Sequence, residues 1–507
     1  MTSRPRRSGP GHDAATMRHV RWPSPCGRAV AAGALAAAAV AAQAGVIAPE
    51  LERAMAARGT HADTAVIVRF AEPVDPRPLA ATDRRARDNR LLLALQARAA
   101  RQRAALEPFL AAAGATGVRE LWIVNGLAAT LPAVAVRQLA ALPAVERIDS
   151  DALVQGGRSQ RMPARRVPPA GAAAAAAAPA HADGGAAAPV RALPGWNIEA
   201  VHAPELWALG HTGKGVVVAS MDTGVDLAHP DLGRKWRGGA NSWFDPHGEE
   251  PVPYDALGHG TQAMGVMVGG SALGIAPDAR WIAVRLYDAD GRARMSDIHR
   301  AFQWLMDPDG NPATVDAPDV VNASWTLTGR AAGACITEFG DDIRALRSAG
   351  IAVVFAAGND GPAPRTSSSP GNNPGALSVG AVARDLSLAR QASRGPSSCD
   401  GGLFPRVVAP GVNVRTTDLS HGGPPAYANV SGSSLAAPHA AGVMALLAGA
   451  FPSASVPELE AALERGATDL GPAGADIEYG HGLVHAGASF ELLRTAREAD
   501  APGQRMK

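Results

Sequence analysis

Cysteine is scarce, with Cys26, Cys335 and Cys399 the only three in 507 residues. None stands in a CxxC spacing, so neither a disulfide-dense mini-scaffold nor a thiolate zinc site is encoded. Net charge is almost absent: 48 Lys and Arg against 47 Asp and Glu leave +1. That removes the whole-surface basic field of a nucleic-acid or membrane binder. Aromatics are only 4% of the chain. No apolar run reaches the roughly 18–20 residues of a membrane span, which excludes a multi-span protein. HExxH is missing, so a zinc protease has no ligand set. There is no internal repeat.

What is present is a 47% hydrophobic chain rich in alanine, with 56 Gly and 40 Pro. Its length suits roughly two to four domains. Arg4, Arg6, Arg7, Arg18, Arg21 and Arg28 precede an apolar stretch from Ala29 to Ala42 and then Ala42-Gln43-Ala44. This order reads as an export signal over 1–44, which would remove Cys26 and leave Cys335 and Cys399 in an oxidising compartment. Spacing alone does not say whether those two meet.

Residues 45–156 form a separate unit. A strand at Ala65–Phe70 is followed by a helix over Ala81–Ala113. Next come Leu121–Val124 and Leu127–Leu131 as strands about an Asn125-Gly126 turn, a helix at Val134–Leu142, and a strand at Val145–Ile148. The order β-α-β-β-α-β predicts a small α+β ferredoxin-like domain. Residues 157–194, rich in Ala, Pro and Gly, read as a linker. From 195 to 490 strands and helices alternate, which predicts an α/β domain on a mostly parallel sheet. Residues 491–507 read as a polar tail.

Three segments carry chemistry. In Val216–Gly224 an acid, Asp222, ends an apolar strand, where α/β sheets gather their sites. In Gly258-His259-Gly260-Thr261, glycines flank a histidine that opens a helix. In Ser431–His439, Ser434 stands at the start of an apolar helix, where an N-cap and a nucleophile are both open readings. A fourth segment, Val353–Gly361, puts Asn359 after a strand, aimed at an oxyanion or merely turning the chain. The chain order Asp222, His259, Ser434 is that of one class of hydrolytic triads.

With those motifs in that order, residues 196–490 resemble the subtilisin-like serine proteases (peptidase S8), and in detail the bacillopeptidase F type. Asn241–Asp245, His259–Gly265, Pro318–Trp325, Phe355–Pro362 and Ser393–Pro396 add to the likeness. Residues 64–155 resemble an I9-type inhibitor propeptide. The resemblance implies a subtilisin-like three-layer fold and a secreted, autoprocessed serine endopeptidase. Its catalytic residues would be Asp222, His259 and Ser434, with Asn359 in the oxyanion hole and Ser324, Trp325, Thr326 and Gly358 binding an extended peptide. The chain's own propeptide would act as inhibitor and chaperone, and the product would be a monomer.

Departures are also visible. The usual Gly-Thr-Ser-Met-Ala is Gly432-Ser433-Ser434-Leu435-Ala436, Gln262 stands where many members have His, and Thr326 replaces a glycine of the substrate strand. No cofactor is needed for the chemistry. Val268–Pro277 is too short for the family's calcium loop, Asp231 lacks partners for such an ion, and Asp307–Asn311 breaks the EF-hand pattern, so a structural calcium stays open but no site for it is recognisable. Two rivals remain open at this point. One is a protease-like binding protein, which requires a missing catalytic group. The other is a processing protease with one partner, for which Thr326 and the loop from Arg234 to Tyr254 leave room.

Overall fold

Short apolar strands buried on both faces make a parallel sheet. The computed structural model, which describes residues 45–79, 89–156, 193–270, 272–327 and 333–500, contains such a sheet of seven strands. Their order is Val407–Pro410, Leu377–Val382, Ala352–Ala356, Val320–Ala323, Val217–Asp222, Arg280–Arg285 and Trp243–Phe244, all parallel. Strand residues alternate between two cores. Val218, Val320 and Val354 face the helices His259–Val268, Ser433–Ala450, Val456–Arg465 and Ala486–Asp500. Met221, Val321 and Phe355 face Met295–Met306 and Gly340–Ser348. The result is the three-layer α/β arrangement anticipated.

Two expectations change here. Residues 491–500 are not a polar tail but the end of the helix Ala486–Asp500, whose Phe490 and Leu493 reach the core. Among the described residues one helix, Ser433–Ala450, does have the length and apolarity of a membrane span, with 89% of it buried inside the protein. It is apolar because it runs through the core, not because it meets lipid.

The second sheet has five strands in the order Val46–Ile47, Val145–Ser150, Asp63–Phe70, Gly126–Pro132 and Thr116–Leu121. Helices Pro49–Arg58, Arg90–Ala112 and Ala133–Ala140 accompany it. Its last four strands have the ferredoxin-like order, with Val46–Ile47 added in parallel at one edge. The expected strand Leu121–Val124 lies instead at Thr116–Leu121. Trp122–Val124 forms a 3-10 turn closed by Asn125 at φ 50°. The reason is tertiary: Ile123 and Val124 are buried in the cluster that holds Ile298, Phe302 and Ile343, and the Ile123 N–H donates to Gln303 Oε1 at 3.3 Å. The expected leader 1–44, most of the linker, residues 81–88 of the expected helix and the end of the tail lie outside the described residues.

The small domain docks on the helices of that second core. Asp151 places its carboxylate at the start of Met295–Met306, accepting from Ser296 N at 2.9 Å and Ser296 Oγ at 2.8 Å. This is a helix cap supplied from another domain. Arg69 donates to Glu338 Oε1 at 2.8 Å, above a buried His299 whose Nδ1 lies 2.9 Å from Asp342 and whose Nε2 lies 3.0 Å from Glu338. Cys335 and Cys399 are bonded across a sequence separation of 64. Closing a loop of that size removes about 4 kcal/mol of unfolded-chain freedom in the chain-entropy account.

Burial alone would lower the His299 pKa, but Asp342 and then Glu338 more than reverse this and push it up to about 9. A raised histidine pKa stabilises fully below the unfolded value and is lost as pH rises through the folded one. In a Ser434→Ala background, His299→Gln should therefore lower Tm most below about pH 6.5. The gap should close as pH passes about 9, as read by scanning calorimetry across pH.

Candidate active site

The strand Val217–Asp222 delivers Asp222 to the carboxyl end of the sheet, 1% exposed. Its Oδ1 accepts from Thr223 N at 2.7 Å and lies 2.7 Å from His259 Nδ1. His259 is the first residue of the helix His259–Val268, entered through Gly258 at φ 90°. Close approach of helix and strand needs glycine at 260, because a Cβ there would lie 2.1 Å from Gly224 O and 3.1 Å from Asp222 Cβ. Burial alone would lower the His259 pKa. The Asp222 charge and hydrogen bond, with Asp255 beyond, raise it above the ordinary imidazole value.

Ser434 is the second residue of the buried helix Ser433–Ala450, and its Oγ is buried without a hydrogen-bond partner among the described residues. No hydrogen bond therefore joins it to His259, a contact that often tightens only around a substrate. Asn359 follows the strand Ala352–Ala356 and uses its side-chain Oδ1 to accept Ser433 N–H at 2.9 Å. This leaves the amide NH2 toward the serine. A Cβ built on Gly432 would meet Ser434 Oγ at 3.1 Å and Asn359 Nδ2 at 3.4 Å, so glycine alone leaves the space between them open.

Gly358, at φ 109°, donates its N–H to Ser433 Oγ at 3.1 Å, which gives Ser433 a structural task beside Ser434. Ser324 donates its hydroxyl to Ser434 O at 2.7 Å. Trp325 points away from the opening, its ring edge-on to Phe339 and Phe355 in the core. Thr326 is half-buried beyond it. The structure thus joins Asp222 to His259 directly, gathers Asn359, Gly358, Ser433 and Ser434, and ties Ser324 to the first turn of the helix Ser433–Ala450.

Two features went unread in the sequence. Asp255 is fully buried, and its carboxylate accepts from Leu257 N, Gly258 N, Thr261 N and Thr261 Oγ1 at 2.7–2.9 Å. It holds the start of the histidine helix. The other is the edge Arg292–Arg294, which pairs antiparallel with Leu153–Gln155 of the small domain. The hint for each was a turn acid ahead of a glycine, Asp255-Ala256-Leu257-Gly258 and Asp290-Gly291, a pattern too common to single out.

For a metal, the described residues offer His202, Glu205 and His485, or Asp307, Asp309 and Asp316, each set with ligand atoms within 4.8 Å. Both lie on elements other than those carrying Asp222, His259 and Ser434. Asp231 accepts the Tyr427 hydroxyl at 2.7 Å. Nearby, the Lys235 ammonium donates to the carbonyls of Val268 and Pro277, at the end of the histidine helix.

The family model of the subtilases matches residues 213–482. The chain belongs to the subtilase family. It is 38% identical to bacillopeptidase F of Bacillus subtilis over 318 residues, covering 57% of this chain and 22% of that protein. It is 36% identical to subtilisin BL of Lederbergia lenta over 298 residues, covering 58% of this chain and 97% of that one. The chain thus spans under a quarter of the first relative and nearly all of the second. Fervidolysin of Fervidobacterium pennivorans, a keratinolytic enzyme related to subtilisin, shares the fold with a TM-score of 0.61 at 20% identity, over 85% of this chain and 61% of that one.

Within this subtilase, Asp255→Ala in a Ser434→Ala background should destabilise by about 2 kcal/mol or more, because it leaves buried donors unpaired. Urea unfolding measures this, with Asp255→Asn expected to fall between the two.

Proposed function

We propose that this subtilase is an exported serine endopeptidase made as a preproenzyme. The observation that carries the proposal is the convergence at the carboxyl end of the sheet: an Asp222–His259 hydrogen bond on one side, and an orphan Ser434 Oγ beside the Asn359 amide on the other. In this reading Ser434 Oγ attacks the scissile carbonyl while His259 takes its proton. Asp222 holds Nδ1 protonated, so Nε2 is the basic atom, and it stabilises the imidazolium. The oxyanion meets the Asn359 NH2 and the Ser434 N–H at the helix start. Losing an Asn donor of this kind costs roughly 100- to 1000-fold in turnover. Collapse expels the amine with the proton from His259, and water repeats the cycle on the acyl-enzyme.

Residues 45–156 are read as the propeptide. Support comes from the docked helix cap of Asp151 and from the tail Leu153–Gln155, which adds a strand to Arg292–Arg294 as an extended peptide would. A dead-site binding protein is disfavoured because none of the four groups is missing.

Expressed with its leader, the wild type should lose its first 156 or more residues, digest casein and take a fluorophosphonate label. Ser434→Ala should stay full length and unlabelled. Processing of both by host proteases, with neither labelled, would sink the proposal. Because His259 must be neutral to act as base and its pKa is raised, the acid limb of kcat/KM should lie above about 6.5. Asp222→Asn should cost about 10,000-fold in kcat.

A further inference from the structure

The end of the small domain is held in an orientation that exposes one position to a side chain of the catalytic domain. Residues Leu153, Val154 and Gln155 pair with Arg294, Ala293 and Arg292, and the strand continues as Gly156 N donates to Gly291 O at 2.8 Å. Val154 packs against the apolar cluster that includes Ala293 and Met295, so the tail is seated by a side chain as well as by its backbone. Gly156 then meets Tyr287. A Cβ built on Gly156 would fall 2.8, 2.9 and 3.0 Å from three atoms of the Tyr287 ring, closer than real Cβ contacts come.

Gly156 is not among the residues with positive φ, so its backbone does not demand glycine. Space does. Nor is the ring free to swing aside: Tyr287 is 4% exposed and belongs to the same buried cluster. It also lies next to the strand that carries Asp222. Tyr287 follows Leu286, whose N–H donates to Asp222 O at 2.6 Å, just past the register pair Asp222 and Arg285. Burial, with the Asp222 charge behind it, holds its phenol well above the ordinary value, as an enclosed hydroxyl near the triad carboxylate should be.

We infer that Tyr287 is a specificity-determining residue: it fills the subsite occupied by Gly156 and restricts this protease to substrates with glycine at that position. The inference rests on the reading of Leu153–Gly156 as a substrate-like tail. Substrates would be extended segments with an aliphatic residue two places before a glycine, as in Val154-Gln155-Gly156. Such segments occur in glycine-rich or unfolded chains, and a bulky residue at the glycine position would have to displace the ring.

The test uses the mature protease and quenched peptides copied from residues 150–162, with Gly, Ala or Leu at the position of Gly156. Wild type should cut the Gly peptide roughly tenfold or more faster in kcat/KM than the Leu peptide, the scale of forcing bulk into a filled site, with Ala between. Tyr287→Ala should bring the two within about threefold, chiefly by gain on the Leu peptide. Tyr287→Leu provides a second variant should Ala prove unstable. In the full chain, Gly156→Leu should slow self-processing, and Tyr287→Ala should restore it. Sequenced casein fragments should show glycine at one fixed place upstream of the cuts. Equal wild-type rates on Gly and Leu peptides, with Ser434 still labelled by fluorophosphonate, would overturn this inference alone. No label and no cleavage of any substrate would remove the serine-protease reading and this inference with it.

Discussion

The helix Ser433–Ala450 passes through the core against the parallel sheet, and its closeness to the strands sets where Ser434 meets Asn359. Ala436, Ala437, Ala440, Ala441 and Ala445 are fully buried. A Cβ on Gly442 would lie 2.5 Å from that of Ile275, in the segment between the helix His259–Val268 and the strand Arg280–Arg285, so the helix is packed closely on that side too. Small side chains let the helix axis approach the sheet, so its first turn arrives level with the carboxyl ends of the strands. Ser434 and Asn359 meet there for that reason. The same packing explains the composition: a core built on close backbone approach has much alanine and glycine and little need of aromatic bulk.

Around that helix the site is held by carboxylates rather than by contacts of the reacting atoms themselves. Asp255 gathers the donors at the start of the histidine helix, and Asp222 then needs only one oxygen to hold His259. The arrangement is preorganised before any substrate arrives, which is how fixed dipoles stabilise developing charge without reorganising. The small domain uses the same device from outside. Asp151 caps Met295–Met306, and Arg69 closes a charged cluster over His299, so its docking completes helix ends and charges that the catalytic domain leaves open.

Much of the catalytic domain was legible because its signals are local. An apolar run that stops at Asp222, a histidine between glycines and a serine ahead of an apolar helix each follow from chain neighbours. The ferredoxin-like order was readable for the same reason, through β-branched runs and amphipathic spacing. What failed to read was conditional on another element. Trp122–Val124 has strand composition but turns, because its partners are helices about 180 residues away. The edge Arg292–Arg294 carries charge and no strand pattern, since its pairing is to a tail and not to the main sheet. Trp325 sits in a substrate-strand motif, yet its ring has a core to fill.

Sequence by itself determined the family, the order of the chemical groups and the alternation that makes a parallel sheet, because each is written in neighbours along the chain. Tertiary structure alone decided that Cys335 and Cys399 bond, that Asp255 supports the histidine and that Tyr287 lies over Gly156. Those relations depend on side chains from distant segments arriving at one point. Only the packed sheet and the helices laid across it bring them there.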